Sequence, residues 1–186
     1  MFNLTLGRYV LSCGPDGLPD RYGEYCAHAI LAEEIDLDRP GGRTCFVAVT
    51  AGAEWPFLVL AQRYDLPGRE AAPGAMIVPE TDLLFVGAGT RLLAYDLKVP
   101  GRLWEGLLSF SFRGWQRHWD FVVMASEREL AAWDLYGRKK WSARVEPPWS
   151  YRVERNEVHV DMRGQRFTFP VSVGPVDRSE RPFISG

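Results

Sequence analysis

The chain reads as an all-β fold built from blade-like antiparallel hairpins, a large twisted meander, and three observations predict it. A hairpin-like unit recurs along the sequence. Period-two alternation runs through the C-terminal part. Gly (18) and Pro (13) punctuate the 186 residues often enough for frequent tight turns. The length suits one domain, expected over residues 1–173, followed by a flexible, Gly/Pro-punctuated tail over 174–186.

In chain order, the segment 24–34 (EYCAHAILAEE) is Ala-rich, free of Gly and Pro and without clean alternation. It is the best candidate for a short helix. Four related turns follow: IDLDRPGGR (35–43), YDLPGR (64–69), YDLKVPGR (95–102) and WDLYGR (133–138). Each joins a large apolar residue to Asp-Leu and closes on Gly-Arg. Their aspartates, Asp36, Asp65, Asp96 and Asp134, are spaced by 29, 31 and 38 residues.

The last two copies extend further, so that residues 83–104 lie over 121–141. In both, an apolar run reaches a small residue (Gly87, Ala125), then a short connection. Leu-x-Ala-aromatic-Asp-Leu, the Gly-Arg turn and a Trp come next. That pattern predicts strand, hairpin, strand, hairpin, strand: Asp bonds its own turn backbone, Gly supplies positive φ, and Trp packs from the next strand. Ser126 to Glu129 has the spacing of a helix capping box. Its counterpart carries Gly89 in place of Glu127, so a hairpin is expected at both sites.

Leu108, Phe110 and Phe112 alternate as a strand that Gly114 is expected to end. At the C-terminal side, Tyr151 and Val153, then Val158, Val160 and Met162, then Phe167, Phe169 and Val171 alternate with polar residues. Arg155-Asn156 and Arg163-Gly164 separate them, which predicts a three-stranded meander.

The segments 83–104 and 121–141 resemble blades of a β-propeller of the quinoprotein (PQQ-repeat) type, and the likeness spans roughly residues 76–172. Propeller blades of four strands run to about 40–50 residues each, so this chain is short for a full-sized propeller. A compact four-bladed ring, an incomplete propeller and one large twisted sheet all fit the length. The resemblance implies no cofactor, because the matching positions are turn and packing residues and many proteins with this repeat are scaffolds.

Lys plus Arg (22) nearly balances Asp plus Glu (24), which argues against a nucleic-acid partner. No apolar run approaches the length needed to span a bilayer, so no membrane association is expected. The start of the sequence has no secretory pattern and the cysteines are odd in number (Cys13, Cys26, Cys45). A cytoplasmic protein with reduced thiols is the expectation. Zinc on Cys13, Cys26, His28 and Cys45 is the sharper alternative, against the close ligand pairs usual in structural sites.

The four turn aspartates are better explained as turn caps than as a metal-binding ring. Glu33, Glu34, Asp36 and Asp38 read as a solvated acidic face. The histidines, His28, His118 and His159, belong to no catalytic motif, and Gly87-Ala88-Gly89 is a lone G-x-G. The sequence therefore leans away from an enzyme. The most unusual stretch is residues 113–120, in a hairpin between two blade-like units. There Arg113, Trp115, Arg117, His118 and Trp119 combine the residue types enriched at interface hot spots. They are the candidate binding residues, with edge-covering Trp and solvated Arg as the plainer explanation.

The expectation is a non-catalytic protein-interaction module, of inhibitor or immunity type, that binds another protein or itself. The rival is a small-molecule or carbohydrate-binding protein, or a hydrolase, with its site at one mouth of the sheet.

Overall fold

A computed structural model describes residues 2–14, 17–65 and 72–175. The described residues form four sheets in sequence order. The first holds β1 (Phe2–Leu6) and β2 (Tyr9–Gly14), an excursion through α1 (Tyr22–His28) and β3 (Leu31–Ile35), then β4 (Arg43–Thr50) and β5 (Leu58–Tyr64). Its order is β1-β2-β4-β5-β3, a four-strand antiparallel meander with β3 added parallel to β5. The second is β6 (Gly74–Val78), β7 (Leu83–Ala88), β8 (Arg91–Asp96) and β9 (Gly101–Leu107). The third is β10 (Phe112–His118), β11 (Phe121–Ser126), β12 (Glu129–Asp134) and β13 (Lys139–Arg144). The fourth is β14 (Trp149–Glu154), β15 (Glu157–Met162) and β16 (Gln165–Pro170).

The fold is all-β and propeller-like, because each sheet buries a face against the next. Ile77, Leu84, Val86, Leu93 and Tyr95 pack on Leu11, Val47, Val49, Leu58 and Leu60 of the first sheet. From the opposite face of the second sheet, Val78, Leu83, Phe85, Leu92 and Ala94 meet Phe112, Val122, Met124 and Trp133. Val123, Leu130, Ala132 and Trp141 then meet Val158, Val160 and Phe169. A fully buried side chain such as Phe85 contributes on the order of 2–3 kcal/mol through this burial. The middle sheets bury both faces, which explains why LLFVGA and FVVMAS are almost continuously apolar. The fourth sheet alternates because its outer face (Ser150, Arg152, Glu154, Arg166 and Thr168) is exposed.

Both ends of the stack are therefore finished. The first sheet's outer face (Phe46, Ala48, Val59) lies under Tyr22, Tyr25, Cys26 and Ala29 of the α1 segment. Among the described residues no apolar core joins the first sheet to the fourth.

The second and third sheets share one construction. Ala94 pairs with Trp104 and Ala132 with Trp141, and a bulge follows each alanine. Trp104 Nε1 donates to Gly137 O at 2.8 Å, and Trp141 Nε1 donates to Val171 O at 2.6 Å. Each of these indoles thus reaches from its own sheet to the segment packed beside it. The C-terminal meander has the expected turns, Arg155-Asn156 and Arg163-Gly164, all four residues at positive φ. Ser126 does offer its hydroxyl to two backbone amides, Arg128 N (3.3 Å) and Glu129 N (2.8 Å), but across a hairpin rather than at a helix start.

Two local expectations are corrected. The helix stops at His28, and Ala29 is extended at φ −70° and ψ 143°. Leu31–Ile35 instead pairs with β5 throughout its length, and that ladder outweighs the helix propensity of an Ala-rich segment. Leu108 to Ser111 is not a strand but the crossing between sheets, and Phe112 opens β10. There Leu108 N and Phe112 N donate to Thr90 O and Gly89 O, both at 2.7 Å. Gly114 sits inside β10, where the register shifts, and does not end a strand. The expected tail lies outside the described residues from 176 on; Gly174 itself packs against Trp141.

Candidate functional site

The five candidate residues lie on β10, the edge strand of the third sheet, and on the turn that follows it. They do not share one environment: Trp115 and Arg117 stand on the face toward the second sheet, and only the first is packed in a core. Trp115 points toward the second sheet, with its ring 5.3 Å from Phe85, 5.4 Å from Phe112 and 5.5 Å from Trp133. It is a packing residue of that core, and its buried Nε1 finds no hydrogen-bond partner among the described residues. Arg113 is exposed at the start of the strand. What remains toward solvent at the far end is Arg117, His118 and Trp119.

These three form a braced unit. Arg117 Nη1 donates to both Glu80 oxygens at 2.9 Å, and its Nε donates to Trp119 O at 3.1 Å. Glu80's own backbone amide and the Arg117 guanidinium hold its carboxyl below the usual range. Trp119 sits at φ 49° and leaves 61% of its surface exposed. His118 is half-buried, which depresses its pKa, and its Nε2 stands 3.4 Å from Gln116 Oε1. The same Gln116 oxygen accepts from Tyr151 OH at 2.9 Å, tying β10 to β14. Arg117, His118 and Trp119 line an open depression of about 470 Å³ closed on one side by Val153.

Glu80, Gln116, Tyr151 and Val153 complete this surface and were not singled out from the sequence. Glu80 stands in the Pro-Glu-Thr-Asp turn after β6, where an acidic residue is unremarkable. Only the packing of the second sheet on the third brings it to Arg117.

The remaining candidates are scattered. Asp96 Oδ1 accepts from Lys98 N and Val99 N, and Asp134 Oδ1 accepts from Tyr136 N and Arg138 N, as turn caps should. Asp36 and Asp65 lie at the opposite end of the sheets, following β3 and β5, and pair with Arg91 and Arg39 at 2.8 and 2.9 Å. The four do not form a ring. Residues 66–69 of the second copy lie outside the described residues. Within the acidic cluster, Glu33 is half-buried and accepts from Tyr95 OH at 2.7 Å.

Cys13 and Cys45 are buried, and burial raises both thiols from 9.0 to about 12. Cys26 and His28 belong to α1, where the His28 ring stacks on Trp55 at 4.2 Å and its Nδ1 lies 2.8 Å from Glu24 O. Among the described residues no three His, Cys, Asp or Glu side chains stand close enough together to hold a metal ion. His159 lies on the fourth sheet's outer face, 3.1 Å from Thr168 Oγ1. No helix among the described residues is long and apolar enough to cross a membrane.

No protein-family model matches the chain, and no curated protein does. Solved structures similar to it include BamB from Moraxella catarrhalis, at 9% identity and TM-score 0.49 over 89% of this chain and 41% of that one. Sqt1 of Saccharomyces cerevisiae aligns at 14% identity and TM-score 0.46 over 87% of this chain and 45% of its own. AztD from Citrobacter koseri, in its apo form, aligns at 10% and 0.46 over 92% and 56%. The chain thus spans between about two fifths and just over half the length of these proteins.

Proposed function

We propose that the protein is a single-domain, non-catalytic interaction module of the cytoplasm, built from blades of the quinoprotein kind and binding another protein through Trp119, Arg117 and His118. The observation that carries this reading is that Trp119 is exposed and yet held. Displaying an indole to water is unfavourable, and here an ion pair and a backbone hydrogen bond fix the loop that displays it. A preformed turn that carries an aromatic residue beside an arginine loses little backbone freedom on binding, which suits a hot spot. The cytoplasmic assignment rests on the three free cysteines.

A photo-crosslinking side chain placed at Trp119 in cells tests the reading. The expected result is a discrete adduct of higher mass. It should be missing when the same group replaces Tyr136, which is 67% exposed on another turn of the same sheet. No adduct at either position, or the same adducts at both, overturns the proposal.

A small-molecule or carbohydrate site is the second reading, and one groove favours it. A depression of about 290 Å³ is lined by Trp104, Trp133, Glu105, Glu129 and Lys139. Aromatic faces beside carboxylates suit sugar rings. Quenching of tryptophan fluorescence by a panel of oligosaccharides, abolished in Trp104→Ala, is its expected signature.

A further inference from the structure

We propose that the free edge of β1 is a self-association surface, on which β1 of a second copy of this chain pairs antiparallel about a two-fold axis. Each sheet ends in two edge strands, and an unprotected edge offers a row of unpaired amides and carbonyls to any other strand. Six of the eight edges found among the described residues carry charge. These are Glu33 and Glu34 on β3, Arg102 and Glu105 on β9, Arg113 and Arg117 on β10, three basic residues on β13, Arg152 and Glu154 on β14, and Arg166 on β16. Bulges further irregularise β9 and β10, and Pro170 ends β16. The seventh, β6, is uncharged but covered: Ala75, Met76, Ile77 and Val78 pack into the two adjoining cores, and Gly74 lies against the Phe112 ring.

Only β1 has none of these protections. Its sequence, FNLTL, has no charge, proline or bulge, and Phe2 through Thr5 are exposed on both faces of the strand. Phe2 and Leu4 leave 58% and 47% of their surfaces in water.

The strand is also complementary to itself. An antiparallel pair centred on Leu4 sets Phe2 opposite Leu6, Asn3 opposite Thr5 and Leu4 opposite Leu4 of the second copy. The apolar positions then share one face, continuing the row that begins with Cys13, Leu11 and Tyr9 on β2. Asn3 and Thr5 share the other face, and no like charges oppose. A two-fold interface must match itself in this way. The occupant is therefore a second copy, joined to the first through a single continuous sheet. Five paired residues bury little area, so the association is weak and concentration-dependent.

Sedimentation velocity between about 5 and 200 µM tests this, a range chosen for the micromolar affinity of a small interface. The full chain should move from monomer toward dimer. Leu4→Lys should stay monomeric throughout while melting close to the parent chain, because Leu4 is half-exposed and lies outside the packed core. In a Cys26→Ser background, Leu4→Cys should form a disulfide-linked dimer under mild oxidation, while Asn3→Cys, which faces Thr5, should not. A monomer at the highest concentration overturns the proposal. So does a dimer that Leu4→Lys leaves intact, or equal cross-linking from positions 3 and 4.

Discussion

Arg117 holds both oxygens of Glu80 at 2.9 Å and so clamps the edge strand of the third sheet to the first turn of the second. The same guanidinium reaches Trp119 O, so one side chain links a polar contact at the junction to the shape of the exposed turn. Its role in stability and its role in display separate cleanly.

Replacing Arg117 with Ala should change unfolding free energy by no more than about 1 kcal/mol, since both partners face solvent. Cross-linking from position 119 should nonetheless fall sharply, because the turn loses its brace. Urea denaturation and the cross-linking yield, measured on the same variant, check the two halves.

Gly87 lies where the second sheet receives Phe112, and a Cβ there would stand 2.6 Å from ring carbons. Gly87→Ala should therefore destabilise by about 1–3 kcal/mol through overpacking. Pairing it with Phe112→Leu should recover part of the loss, as a double-mutant cycle in urea would record.

The Arg155-Asn156 turn puts both residues at positive φ, 48° and 72°, as a two-residue hairpin loop of the primed kind requires. Arginine meets a steric penalty there that asparagine or glycine avoids. Changing the pair to Asn-Gly should stabilise the protein by about 1 kcal/mol, seen as a rise in Tm.

Cys13 and Cys45 titrate near 12 in the folded chain against 9.0 for an ordinary thiol. Their folded values are raised, so the stability they contribute is complete below pH 9 and is lost as pH climbs toward 12. Unfolding free energy should decline across that window, and the Cys13→Ala, Cys45→Ala double variant should show a shallower decline. At pH 8 a thiol reagent should modify Cys26 well before the other two, which become accessible only in denaturant.

Local chemistry made much of this fold legible. The Asp-Leu turns at Asp96 and Asp134 cap their own backbones over two to four residues, and the C-terminal meander follows from alternation and two turn dipeptides. The likeness of Asp36 to these turns does not extend to three dimensions, because it follows a strand paired in parallel at the opposite end of the sheets and its carboxylate pairs with Arg91. Residues 113–120 show the limit most plainly. The sequence marks Trp115 and Trp119 alike, and the structure buries one in a core and exposes the other.

The sequence by itself determined the strand class, the tight turns and the alternation of the C-terminal meander. Those features depend on φ preferences and on bonds between near neighbours. Tertiary structure alone decided that the helix gives way to β3, that α1 covers the first sheet, and that Glu80 and Tyr151 join the candidate surface. Glu80 reaches Arg117 across 37 residues and Tyr151 reaches Gln116 across 35, and only the stacking of whole sheets closes such distances.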